Sequence, residues 1–269
     1  MKFTKLMQSM AVAGAMVVAG AAAAAPIYPN FTVDTSALGG GGSLGQFVAN
    51  DISGQYHEQI TFTSASTFVV SLDFIAQGFN YDDTNAALST SYNAAQTGLG
   101  SNYQLMAVLT GSGTYSTSGG TTTFSLTPGG SLTLSYDAGA NASFVAPAAP
   151  GGAYTINANG DVITTLATGN AMTGNGSVSC TAPNLCGSFG QETSFNLTPA
   201  GSSFFVSPNP FYSLSLQSGQ IEGFPVEVGT TVTSTGTLNA VFAVPEPAPL
   251  AMMGFALVGF LATRNRKRS

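Results

Sequence analysis

Between its two ends this chain has no lysine and no arginine. Lys2 and Lys5 open it, Arg264, Arg266, Lys267 and Arg268 close it, and these are all six. The gap excludes Lys or Arg salt bridges from the body, so burial and backbone hydrogen bonding must carry its stability. It excludes nucleic acid as a partner, because phosphate binding draws on those side chains. It also excludes a phosphate loop, which needs a lysine. Tryptophan is absent, and with it the usual sugar-stacking side chain of a glycoside hydrolase. His57 is the sole histidine and lies far from the two cysteines, which argues against a His/Cys metal cluster. Cofactors are not expected. All twelve acids except Glu246 lie in residues 26–243, so the body is strongly acidic. Its solubility must rest on Ser, Thr, Asn and Gln and on mutual charge repulsion.

What is present at the ends reads as two addresses. Lys2 and Lys5, an apolar stretch from Met10 to Ala19 and the small residues Gly20–Ala25 follow the order of a secretory signal peptide. The apolar stretch is shorter than the ~20 residues a spanning helix needs. At the other end Val244-Pro245-Glu246-Pro247 precedes a second apolar segment, Leu250–Ala262, and the basic cluster. Two prolines end any structure arriving from the body. The positive-inside rule puts the basic tail in the cytoplasm and the body outside. The division is therefore a signal peptide at 1–25, an exported domain at 26–243 and a sorting signal at 244–269. The two ends are expected to be helical and the C-terminal one only transiently inserted in the inner membrane.

This tripartite tail resembles the PEP-CTERM sorting domain of Gram-negative bacteria. The resemblance implies that an exosortase recognises Pro245, Glu246 and Pro247, processes the chain near them, and releases it to the cell surface or extracellular matrix.

The body reads as all-β. Tyr56–Thr63 and Thr67–Ala76 are predicted strands around Ser64-Ala65-Ser66, the second with an apolar patch, Phe68-Val69-Val70, as in a strand buried on both faces. Tyr103–Thr110 and Thr230–Val241 are further strands. Tyr154–Ile156 and Asp161–Leu166 flank Asn159-Gly160, a pair that favours a type I′ hairpin turn. Gln77–Asn102 and Asn141–Gly152 are Gly/Ala/Ser/Asn-rich and read as loops. Phe124-Ser125-Leu126-Thr127-Pro128 returns as Phe195-Asn196-Leu197-Thr198-Pro199, and both read as strand, Pro-initiated turn, strand. An antiparallel β-sandwich satisfies this pattern, a jelly roll being one topology for it.

Signals for chemistry are few. Cys180 and Cys186, spaced C-x5-C in an exported chain, read as a disulfide pinning a surface loop. Gly41-Gly42-Ser43-Leu44-Gly45 spells the nucleophile elbow, but it lies in a glycine run without the strand and helix an elbow needs. His57-Glu58 reads as a surface pair. Asp82 and Asp83, in a loop rich in side-chain amides, are weak Ca²⁺ candidates, with a solvated acidic loop as the commoner alternative. Two facing carboxylates for glycoside hydrolysis remain open among so many acids. No catalytic residue is assigned, and the chain is not expected to be an enzyme.

Phe31–Gly40 and Phe47–Glu58 resemble the flocculation-associated PEP-CTERM proteins, as do Tyr103–Val108 and Asn209–Leu214. That resemblance implies a secreted matrix protein promoting floc or biofilm formation with exopolysaccharide or cell-surface glycan. Hydroxyl and amide surfaces, attached glycans or cation bridging would make the contact. The alternatives are a secreted carbohydrate-binding module or a polysaccharide hydrolase.

Overall fold

The computed structural model describes residues 28–81, 90–180 and 185–243, with the side chains of 185–186 and 218–222 outside that description. Both terminal addresses lie outside it too. The described strands are β1 Phe31–Asp34, β2 Gln46–Ala49, β3 Asp51–Phe62, β4 Thr67–Tyr81, β5 Thr90–Tyr92, β6 Gln104–Ser118, β7 Thr121–Leu126 and β8 Gly129–Asp137. They continue with β9 Ser143–Val145, β10 Thr155–Asn157, β11 Ile163–Val178, β12 Leu185–Thr193, β13 Asn196–Leu197, β14 Phe205–Ser207, β15 Ser213–Glu222 and β16 Thr231–Ala243. Alternation decides which face each strand buries. Along β3, Ile52, Tyr56, Glu58 and Ile60 are buried while Gln55 and His57 between them are exposed.

The described strands all pair antiparallel, and the ladder closes on itself. β3 pairs with β4, β4 with β6, β6 with both β7 and β8, and both of these with β11. β11 then pairs with β12, β12 with β15, β15 with β16, and β16 returns to β3. Opposite walls of this ring pack on one interior as the two layers of a sandwich do. Ring neighbours follow chain order, so the jelly-roll topology does not form. A ring of this size leaves an interior that side chains can just fill. Here Phe and Leu point inward while Ser and Thr dominate the outside, the reverse of a barrel that faces lipid.

β7 and β8 run end to end in one slot. Leu126 pairs with Gly113 and Ser131 with Thr110, while Thr127 N–H donates to the Ser112 carbonyl between them. Thr127-Pro128-Gly129-Gly130 is therefore a bulge within one long strand. That suits a proline with no donor to give and glycines at φ 130° and 75°. Its echo behaves differently again. Thr198 caps a short helix, Pro199–Phe204, its hydroxyl accepting from Gly201 N–H with Pro199 in the first turn. The two Pro-containing stretches are not equivalent hairpins.

Three other sequence expectations change. Asn159 and Gly160 do adopt positive φ, yet β10 pairs with β9 and β11 with β8, so no hairpin joins them. Val69 is only half-buried, and two-sided burial falls further along β4, at Ser71, Leu72, Asp73 and Phe74. The Gln77–Asn102 stretch holds the end of β4, all of β5 and a helix, Ala94–Thr97, with an Asn93–Gln96 capping box. Likewise, β9 falls within Asn141–Gly152.

One end of the ring is closed by β1, β2, β14 and the helix Pro199–Phe204. Their Phe31, Phe47, Phe204 and Phe205 join the interior cluster of Tyr103, Tyr136 and Phe242. Phe31 meets Phe242 edge-on at 4.8 Å, a geometry worth ~0.5–1.5 kcal/mol beyond area burial. A second cluster, with Phe62, Phe68, Phe124 and Phe224, fills the other end.

Candidate functional site

His57 and Glu58, expected as a surface pair, part company. The pleat sends His57 outward, and its Nδ1 shares a 2.9 Å hydrogen bond with Asp73 Oδ1 on the adjoining strand. Glu58 points into the ring, is 3% exposed, and burial pushes its carboxyl up to about 7. The sequence missed this because alternation shows that neighbours face opposite ways without showing which way is in.

Asp73 is 1% exposed because the chain around 151–154 crosses the outside of β3 and β4. Gly151 N–H donates to Thr61 Oγ1 and Tyr154 N–H to Ser71 Oγ. Burial raises the Asp73 carboxyl above its ordinary range, and the His57 hydrogen bond opposes that rise. The row extends across β16 to Thr235, which stands opposite His57. Hydroxyl, imidazole and carboxylate thus occur in sequence, but no Thr235–His57 hydrogen bond forms among the described residues, and Thr235 and His57 are exposed while Asp73 is covered. Asp137 is buried for structural reasons. Its carboxylate accepts from Gly139, Asn141 and Ala142 N–H at 3.0, 2.9 and 2.8 Å.

The Gly41–Gly45 run packs as a loop. Ser43 and Leu44 N–H donate to the Ala95 and Gln96 carbonyls, and a Cβ on Gly42 would strike the Gln96 carbonyl. Asp82, Asp83, Pro245, Glu246 and Pro247 lie outside the described residues, as do any terminal helices. Among the described residues no group of three or more His, Cys, Asp or Glu could hold a metal ion. The β11–β12 register, with Val178 opposite Gly187, brings the Cys180 and Cys186 backbones to the mouth of one hairpin.

The outside of the ring carries cross-strand hydroxyl pairs. Thr110 and Ser131 stand 2.9 Å apart, Ser116 and Thr123 3.1 Å, and Thr61 and Thr231 2.9 Å. At the capped end an open cleft with about 310 Å³ of room lies between β13, β14 and the chain entering β15. Phe195 and Phe211, with ring centroids 5.8 Å apart, form its apolar side. Asn196, Ser202 and Asn209 are exposed along it. Nothing local in Asn209–Leu214 shows that β13 and the helix Pro199–Phe204 fold against it, so the sequence does not reveal the cleft.

Residues 243–267 match the PEP-CTERM protein-sorting motif, which implies exosortase processing and export to the cell surface or extracellular space. No curated protein and no solved structure matches the chain. Among the described residues no helix is long and apolar enough to cross a membrane.

Proposed function

We propose that this chain is a non-enzymatic matrix protein that helps hold cells and exopolysaccharide together in flocs or biofilm. The observation that carries this reading is the sorting motif itself, which begins where the last strand of the ring ends, at Ala243. The exported cargo is a single closed ring with a hydroxyl-rich exterior, chemistry suited to hydrated polysaccharide. The sorting route would pass through transient inner-membrane insertion, with exosortase as the processing partner and Pro245-Glu246-Pro247 as its recognition element.

Deleting the gene, with exopolysaccharide output confirmed unchanged, tests this. Dispersed growth is expected, restored by the intact gene but not by one lacking residues 244–269. Flocs that persist without the gene would overturn the matrix role. A secreted carbohydrate-binding module is the second reading, favoured by the cleft beside Phe211. The hydrolase reading has less behind it, because Glu58 and Asp73 point to opposite faces of the same sheet.

A further inference from the structure

We propose that the cleft between β13, β14 and the entry to β15 binds one neutral sugar residue of a polysaccharide chain. This deepens the matrix reading and rests on it for the source of the sugar. The cleft's room of about 310 Å³ falls at the lower end of the ~300–1,000 Å³ typical of small-molecule sites. Its walls are set before any ligand arrives. Phe211 packs on Phe205 at 5.3 Å and on Phe242 at 4.8 Å, so little side-chain ordering remains to oppose binding.

Charge selects the class of ligand. No ionisable side chain among the described residues lines the cleft, and residues 28–243 contain no lysine or arginine. A uronate or sulfated sugar would meet no counter-charge in an acidic domain. A wholly apolar ligand would strip water from the amides of Asn196 and Asn209 without replacing it. A neutral pyranose has what both sides require. Its C–H face lies against Phe211 and Pro210, and its hydroxyls meet the amides of Asn196 and Asn209 and the hydroxyl of Ser202. These groups donate and accept, as sugar hydroxyls do. Their side chains make no hydrogen bonds to other described residues. With no carboxyl or imidazole among the described lining residues, the sugar is held and not cleaved.

The test uses the purified exported protein and measures binding to dextran and galactan, with alginate as the charged control. Dextran or galactan should bind and alginate should not. Asn196→Ala with Asn209→Ala should weaken binding about tenfold, the worth of one or two hydrogen bonds. Ser202→Tyr, at an exposed position, should block the cleft at an unchanged melting temperature. Absence of binding to both neutral polymers, preference for alginate, or affinity unaltered in these variants would each overturn the proposal. The two readings separate in the deletion strain. If Ser202→Tyr restores flocs as fully as the native gene, the cleft proposal fails and the matrix role stands. If the strain never disperses, the matrix role fails while the binding measurement still decides the cleft.

Discussion

Glu58 and Ser234 stand opposite each other on β3 and β16, both inside the ring, and the Ser234 hydroxyl has no hydrogen-bond partner among the described residues. A carboxyl and a hydroxyl are placed among phenylalanines, with no lysine or arginine among the described residues. Burial alone drives the rise of the carboxyl from 4.5 to about 7.

The sign of the pH dependence follows. The folded state holds the Glu58 proton more tightly than the unfolded chain does. Its contribution is fullest below about pH 4.5 and is lost as pH rises toward 7. Above that the native protein carries a penalty of about 3 kcal/mol, from ~1.4 kcal/mol per pH unit. Glu58→Gln should raise the melting temperature at pH 8 and flatten the stability profile between pH 4.5 and 7. Thermal melts of both proteins across that range check it. An unchanged profile would mean that the carboxyl reaches water.

Removing His57 should expose how Asp73 is accommodated. His57→Ala leaves a buried carboxyl without its ring partner and should cost about 1–3 kcal/mol at neutral pH. Adding Asp73→Asn should return part of that loss. Denaturant titrations of the single and double variants measure it, and additive losses would show that the pair is uncoupled.

Gly42→Ala puts a methyl group against the Gln96 carbonyl. The Gly41–Gly45 loop or the helix Ala94–Thr97 must then shift, at about 1–3 kcal/mol. Ser43→Ala leaves that backbone contact in place and should be near neutral. A Ser43 variant with the larger effect would point to a role for the hydroxyl.

Cys180 and Cys186 are expected to be joined. Alkylation without reductant should leave both unlabelled, and reduction should lower stability by about 2 kcal/mol, as for a short closed loop. Mass spectrometry and parallel melts decide the matter, and two labelled thiols in the oxidised protein would refute the pairing.

Strand positions were legible because period-two burial is local. β3, β4, β6 and β16 fall where the sequence predicts strands at Tyr56–Thr63, Thr67–Ala76, Tyr103–Thr110 and Thr230–Val241, each somewhat longer. The partners of those strands were not legible. Val232 pairs with Ile60 across most of the chain, and no local pattern encodes that meeting. Pro128 and Pro199 show the limit of turn chemistry. A fixed φ without a donor suits a turn, a bulge or a helix start equally, and packing chooses among them. The cleft was hidden for the same reason: its aromatic and amide groups come from separate elements.

The closing strand has a mechanical consequence. β16 is hydrogen-bonded on both sides, to β3 from Thr231 to Val241 and to β15 from Asn239 to Ala243. From Ala243 the chain passes into the sorting motif. Tension applied at Ala243 would pull along the strand, so both ladders would resist in shear and share the load instead of peeling bond by bond.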